Sequence, residues 1–243
     1  MMLITHATHF LSTQLMRTLN QHNFNYLVVV DSPSGRSSLP STLRVQQRLA
    51  ADELSDWLDT HHSELEALFH LLAPDDESPD ALFPLLWKHA VHHQIPSIFH
   101  TTPSRTAWIQ RQSLVPFFWA GLEWTQAFGP GDQGWVPQAY PSLNDDNQAL
   151  TPTAQPLVYS ANVAAVAYFL IRHRRSSGVH SLDPETATEY AQLLGWVKQA
   201  RQDTAAIQPS SAAPASLQTL GFDQPLFSSQ EGVYDYVQNH LGG

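Results

Sequence analysis

Residues 2–31 read MLITHATHFLSTQLMRTLNQHNFNYLVVVD, and the reading of this stretch decides the fold. Leu3 to Thr5 makes a short strand and His6 to His9 a tight turn. Phe10 to Asn20 is an amphipathic helix with Phe10, Leu11, Leu15 and Leu19 at helical spacing, and Tyr26 to Val30 is a second strand closed by Asp31. Leu27 to Val30 is a continuous apolar run, the pattern of a parallel strand covered on both faces. Strand, helix and strand in this order predict a βαβ opening and, with it, an α/β, Rossmann-like, doubly wound parallel sheet.

The turn is where a dinucleotide-binding unit carries Gly-x-x-Gly-x-x-Gly, because only glycine lets backbone amides close on a pyrophosphate at a helix N-terminus. Here those places hold His6, His9 and Ser12. Each has a Cβ, and two carry an imidazole into the space of the phosphates. Asp31 stands where an acid would meet a ribose, but is also an ordinary strand-ending residue. These four are the candidate cofactor-binding positions, in degenerate form.

Outward from the opening, Ser32 to Ser41 is a Pro/Ser/Gly loop, Leu43 to Leu49 a weak strand and Asp52 to His61 a short helix. Leu65 to Leu72 (LEALFHLL) suits either a strand or a buried helix, and the βαβ context favours a strand. Pro74 to Pro79 is an acidic turn, in which Asp75, Asp76 and Glu77 read as a solvated patch. Asp80 to His93 is a helix, and Ile95 to Thr101 a strand. Gly134 to Pro156 reads as loop-rich, Leu157 to Tyr159 as a strand and Asn162 to His173 as a helix. Val179 to Leu182 is a further strand, with Asp183 a candidate cap for a helix over Glu185 to Arg201. A loop over Asp203 to Pro214 and a last helix over Ser229 to Leu241 complete the chain. The expected organisation is a core over 1–135, rejoined by 157–173, with a small, reduced C-terminal lobe over 136–243.

The 243 residues suffice for a substantial core. With a net charge of −10 and no dense Lys/Arg cluster beyond Arg172, Arg174 and Arg175, nucleic acid is not an expected partner. The absence of cysteine excludes disulfides and thiolate chemistry. No apolar run approaches a membrane span and the chain opens directly on a strand, so the expected location is the cytoplasm. Gly-x-Ser-x-Gly is missing, which argues against a serine hydrolase of that type.

The segments MLITHATHFLSTQLMRTLN, LVVVDSPSG, LEALFHLLA, IPSIFHTT, AGLEWTQAFGPGDQG, PLVYSANVAAVAYFL, SGVHSLD and LGFDQPLFSSQEGVYDYVQNHL follow one another in a familiar order. Together they resemble the extended short-chain dehydrogenase/reductase family, and within it the nucleotide-sugar epimerases of the ADP-glyceromanno-heptose 6-epimerase type. The resemblance implies a Rossmann core, NAD or NADP, and catalysis by a Ser/Thr with a Tyr and a Lys in Tyr-x-x-x-Lys. The Lys is needed because a phenol ionises near pH 10. Thr102 falls at the Ser/Thr position, and nothing matches the other two. About twenty residues separate Thr102 from Glu123, too few for a long helix at roughly 1.5 Å per residue with its connections. The helix that should carry the dyad is therefore expected as a stub. A forced pairing puts Phe117 and Gly121 at the Tyr/Lys spacing, and neither transfers protons.

Losing that helix would bare apolar sheet surface. Trp108, Phe117, Phe118, Trp119 and Trp124 cluster there, with Phe128 and Trp135 close behind, and two readings stand. Either the rings are an interface for a protein partner, a second copy or a complete epimerase-like relative, or they fold back and fill the gap themselves. His89, His92 and His93 lie on one predicted helix; His89 and His93 share a face, but no third ligand is evident, and solvated histidines are the plainer reading. The sequence thus leads to a non-catalytic, epimerase-like binding or structural subunit with no resident cofactor and no metal. The alternative is a divergent NAD(P)-dependent epimerase, dehydratase or nucleotide sensor.

Overall fold

A computed structural model describes residues 1–31, 38–72, 82–112, 117–142, 153–203 and 205–241. The acidic turn with Asp75, Asp76 and Glu77 lies outside them, as does most of the Pro/Ser/Gly loop. The first half of the chain alternates strands and helices: β1 (Met2–Ile4), α1 (Phe10–Gln21), β2 (Leu27–Val30), β3 (Gln47–Leu49), α2 (Leu54–His61), β4 (Ala67–His70), α3 (Leu82–His93), β5 (Ser97–His100), α4 (Pro103–Arg111) and β6 (Trp119–Glu123). The remainder comprises β7 (Gln126–Phe128), α5 (Trp135–Ser142), β8 (Leu157–Tyr159), α6 (Ser160–His173), β9 (Gly178–Ser181), α7 (Tyr190–Ala200), α8 (Ala215–Gln218) and α9 (Ser229–Tyr236).

Seven strands form one sheet in the order β3-β2-β1-β4-β5-β6-β9, and β1 to β6 pair in parallel. This is the predicted doubly wound α/β sheet. The strand order reverses between β1 and β4, which makes their carboxyl ends the crevice where such sheets hold ligands. The chain divides into two compact units, Met1–Glu123 with Ala164–His180, and Trp124–Val163 with Ser181–Gly243.

In the first unit Leu3, Val28, Val30, Leu68 and Phe99 share one core with Leu54 and Leu58 of α2 and Leu86 and Trp87 of α3. Alternation along the strands sends Ile4, Val29, Phe69 and Ile98, all fully buried, to the other face. Helix α1 buries Leu11, Leu15, Met16 and Leu19, and its terminal His22 stacks on Tyr168 of α6 with ring centroids 4.1 Å apart.

In the second unit the parallel pair β7-β8 carries Phe128, Leu157 and Tyr159 into a core with Val136 of α5, Leu193 and Val197 of α7 and Val233 of α9. Gly232 permits this packing: a Cβ there would lie 2.7 Å from the Tyr159 Cβ. A Ser228/Glu231 capping box starts α9.

Three local expectations are corrected. The stretch read as loop-rich contains α5, because Pro137 falls in the first helical turn, where its missing N–H costs nothing, while Val136 and Ala139 are fully buried. Helix α7 begins at Tyr190, not near Glu185, and Asp183 does not cap it. The Asp183 carboxylate accepts from the Thr125 N–H at 2.8 Å and the Thr125 hydroxyl at 2.6 Å, and Thr188 forms an antiparallel bridge with Gln155. The strand expected over Leu43 to Leu49 is confined to Gln47–Leu49. The Asn20 side chain holds Arg44 instead, accepting from its N–H at 2.8 Å and donating to its carbonyl at 3.1 Å.

Candidate functional site

The carboxyl edge of the sheet at the β1/β4 switch is lined by Thr5, His6 and His70. Neighbouring strands add Asp31 at the end of β2, and His100 and Thr101 at the end of β5, all buried. His6 takes the left-handed backbone that glycine favours, φ 52°, while carrying a full imidazole. Its ring lies 5.2 Å from that of His70, centroid to centroid. Between them the Thr5 hydroxyl stands 2.7 Å from His70 Nδ1 and 3.4 Å from His6 Nδ1. Two imidazoles and a hydroxyl thus fill the floor of the crevice.

Three amides in and just after the turn are already engaged. Ala7 N–H donates to Val30 O at 2.9 Å, and His9 N–H donates to His6 O at 2.8 Å. Leu11 N–H donates to the Nδ1 of His9, which caps α1, at 3.4 Å. Ser12 is turned back as well, its hydroxyl donating to Thr5 O at 2.8 Å. A phosphate arriving here would meet side chains and spent donors. Asp31 is also engaged: Arg48 on β3 reaches it through Nε at 2.7 Å and a terminal nitrogen at 2.6 Å. The sequence singles out His6, His9, Ser12 and Asp31 but not Arg48, His70 or His100. The last two carry a signal that could have found them, since each is the final residue of an apolar parallel strand and therefore faces the crevice.

Thr102 is the N-cap of α4, its hydroxyl oxygen accepting from Arg105 N–H at 3.3 Å. Arg105 in turn donates to His100 O at 2.7 Å, with its guanidinium 4.2 Å from the Phe83 ring centre. Helix α4 has nine residues, which is the stub the spacing predicts. The chain holds two lysines, Lys88 and Lys198, preceded four residues earlier by Pro84 and Leu194, so Tyr-x-x-x-Lys occurs nowhere in it.

The aromatic residues proposed for an interface have mostly folded inward. Trp87 of α3 is ringed by Trp108, Phe117 and Trp119 at centroid distances of 5.9, 6.0 and 6.0 Å. Phe117 and Trp124 are buried at 8% and 3% exposure, which removes them from any surface; Phe118 and Trp119 are half-buried and Trp108 is 37% exposed.

Elsewhere, burial sets the strongest electrostatic departures. In the second unit, desolvation lifts the Asp132 carboxyl to about 7, although it accepts the Tyr236 hydroxyl at 2.9 Å. The same burial, with the Asp132 charge, raises the Tyr236 phenol. In the first unit, desolvation lowers the pKa of His89, His93 and His180.

No protein-family model and no curated protein matches the chain. Solved structures do. A UDP-N-acetylglucosamine 4-epimerase from Bacillus cereus superposes with a TM-score of 0.68 at 12% identity, over 98% of this chain and 99% of that one. The Bordetella bronchiseptica enzyme WbmG, in complex with NAD and UDP, gives 0.74 at 13% identity over 98% and 92%. The UDP-glucose 4-epimerase of Thermus thermophilus, in complex with NAD, gives 0.68 at 13% identity over 100% and 99%. At these identities the likeness is one of fold: the chain is built on the Rossmann-like architecture that solved nucleotide-sugar 4-epimerases also carry.

Proposed function

We propose that the chain is a catalytically silent, epimerase-like protein of the extended short-chain dehydrogenase type, working as a binding or structural subunit beside a protein partner or a second copy. The observation that carries this reading is the loss of the proton-handling pair. No Tyr stands four residues before a Lys anywhere in the chain, and Thr102 is spent as the cap of a nine-residue helix. In this reading NAD or NADP does not fit the crevice: His6 and His9 stand at the glycine positions, the Ala7, His9 and Leu11 amides are used internally, and Arg48 pairs with the acid that would hold a ribose. With Phe117 and Trp124 buried, the partner surface narrows to Trp108 and the half-buried Phe118 and Trp119.

A second reading is favoured by the extent of the fold likeness, which takes in both units, and by an open cavity of about 740 Å³ in the second unit lined in part by Asn162, Asp183, Thr188, Ser211 and Gln230. In that reading the chain is a divergent nucleotide-sugar enzyme or sensor, the heptose-epimerase type included. Thermal unfolding with millimolar NAD(H), NADP(H), UDP or UDP-glucose separates the two, since a ligand held only by the folded state raises its melting temperature. The expected result is no shift with any dinucleotide and no conversion of UDP-glucose. A shift with NAD(H) accompanied by turnover would overturn the first reading and establish the second.

A further inference from the structure

The end of α3 points away from the crevice. Because α3 leads into β5 and runs opposite to the strands, its last turn, carrying His89, His92 and His93, lies at the amino edge of the sheet. There the last turns of α2 bring a third donor. Asp59 of α2 and His89 and His93 of α3 each offer a ligand atom, and these atoms all lie within 4.8 Å of one another. The sequence alone shows the two histidines without that third group, because the residues that complete the set are about thirty positions apart and meet only when α2 packs against α3.

The three donor atoms are spaced as the ligands of one ion would be. His89 Nδ1 stands 3.7 Å from Asp59 Oδ1, too far for a hydrogen bond. Two ligands each about 2.1 Å from one tetrahedral ion would be about 3.4 Å apart. His89 is 6% exposed, yet among the described residues neither its ring nor that of His93 makes a hydrogen bond. The histidines alongside differ: His61 and His62 place Nδ1 at 3.0 and 3.1 Å from the carbonyls of Trp57 and Asp59. His62 also stacks on His93, centroids 3.7 Å apart, and so fixes the plane of the ring. The second observation, beside the spacing of the cluster, is that His89 is more than nine-tenths buried with no hydrogen bond to its ring among the described residues, its Nδ1 facing only the Asp59 carboxylate at ion-pair distance.

We infer that Asp59, His89 and His93 form a binding site for one divalent transition ion of the zinc class, which clamps α2 to α3 at the sheet edge opposite the crevice. Two imidazoles and one carboxylate are a borderline donor set that suits zinc and discriminates against magnesium or calcium, which prefer all-oxygen shells. Three protein ligands leave one position for water. The site lies in the first unit and is independent of whether the crevice binds a nucleotide.

The test uses the full chain stripped with a chelator and titrated with zinc chloride alone, by calorimetry and by thermal unfolding. The variants are Asp59→Asn and His93→Gln, neither at a fully buried position, with His173→Gln on the far end of α6 as control for casual binding by the other surface histidines. One zinc per chain and a raised melting temperature are expected for the parent and for His173→Gln, with affinity reduced on the order of tenfold or more in the other two. Cobalt substituted for zinc gives visible absorption bands that should disappear in the same two variants. Absence of a stoichiometric site, or zinc and cobalt binding unchanged in Asp59→Asn and His93→Gln, overturns the inference.

Discussion

Asp132 and Thr102 carry two predictions at the scale of single residues. The folded-state pKa of Asp132, about 7, is above the ordinary carboxyl value of 3.8, so between these pH values the folded protein keeps a proton that the unfolded chain has released. Its contribution to stability is therefore full below pH 3.8 and is lost as pH rises through about 7, at up to about 1.4 kcal/mol per pH unit. Asp132→Asn keeps an oxygen for the Tyr236 hydroxyl and removes the titration. The variant should gain on the parent progressively from about pH 4.5 to about pH 8, as read from denaturant midpoints at each pH. Thr102→Ala, in turn, should cost about 1 kcal/mol of stability, the worth of an N-cap, because the hydroxyl serves the Arg105 amide. If Thr102 served chemistry instead, the variant would lose activity on a nucleotide sugar with little change in midpoint.

At the scale of elements, Trp108 of α4 and Phe117 and Trp119 after it gather around Trp87 of α3. A fully surrounded indole is worth far more than one at the rim. Trp87→Ala should lower stability by about 3–5 kcal/mol through the cavity it leaves, whereas Trp108→Ala, at 37% exposure, should cost about 1 kcal/mol. Equal costs in urea denaturation would mean the aromatic packing is not centred where the ring contacts place it. The order of elements was legible in the sequence because strand and helix periodicities are local, and even LEALFHLL resolved into β4. Three boundaries were not legible. The prolines of α5 mimic a loop, Asp183 resembles a cap until Thr125 claims it, and Asn20 pins Arg44 where strand propensity continues. In the last two cases a residue distant in sequence decides between two locally acceptable states, and in the first the burial of Val136 and Ala139 does.

Over the whole molecule, the two units have separate cores, and substitutions in each should be felt where they are made. Gly232→Ala forces a Cβ to within 2.7 Å of Tyr159 and should destabilise the second unit by about 1–3 kcal/mol, despite alanine's better helix propensity. Hydrogen exchange should then quicken in residues 124–163 and 181–241 for Gly232→Ala, and in residues 1–123 and 164–180 for Trp87→Ala. Quickening spread evenly over the chain in both variants would show one cooperative core. The sequence by itself determined the class of fold and the absence of a Tyr-x-x-x-Lys motif. Apolar periodicity dictates a parallel sheet with helices on both faces, and a Tyr four residues before a Lys on one helix is a spacing that is read directly from the sequence. Only the tertiary structure decided that Trp108, Phe117 and Trp119 gather around Trp87, that Arg48 claims Asp31, and that Asp59 comes beside the His89/His93 pair. Each of these joins side chains from different elements, and such meetings are set by the packing of helices on the sheet.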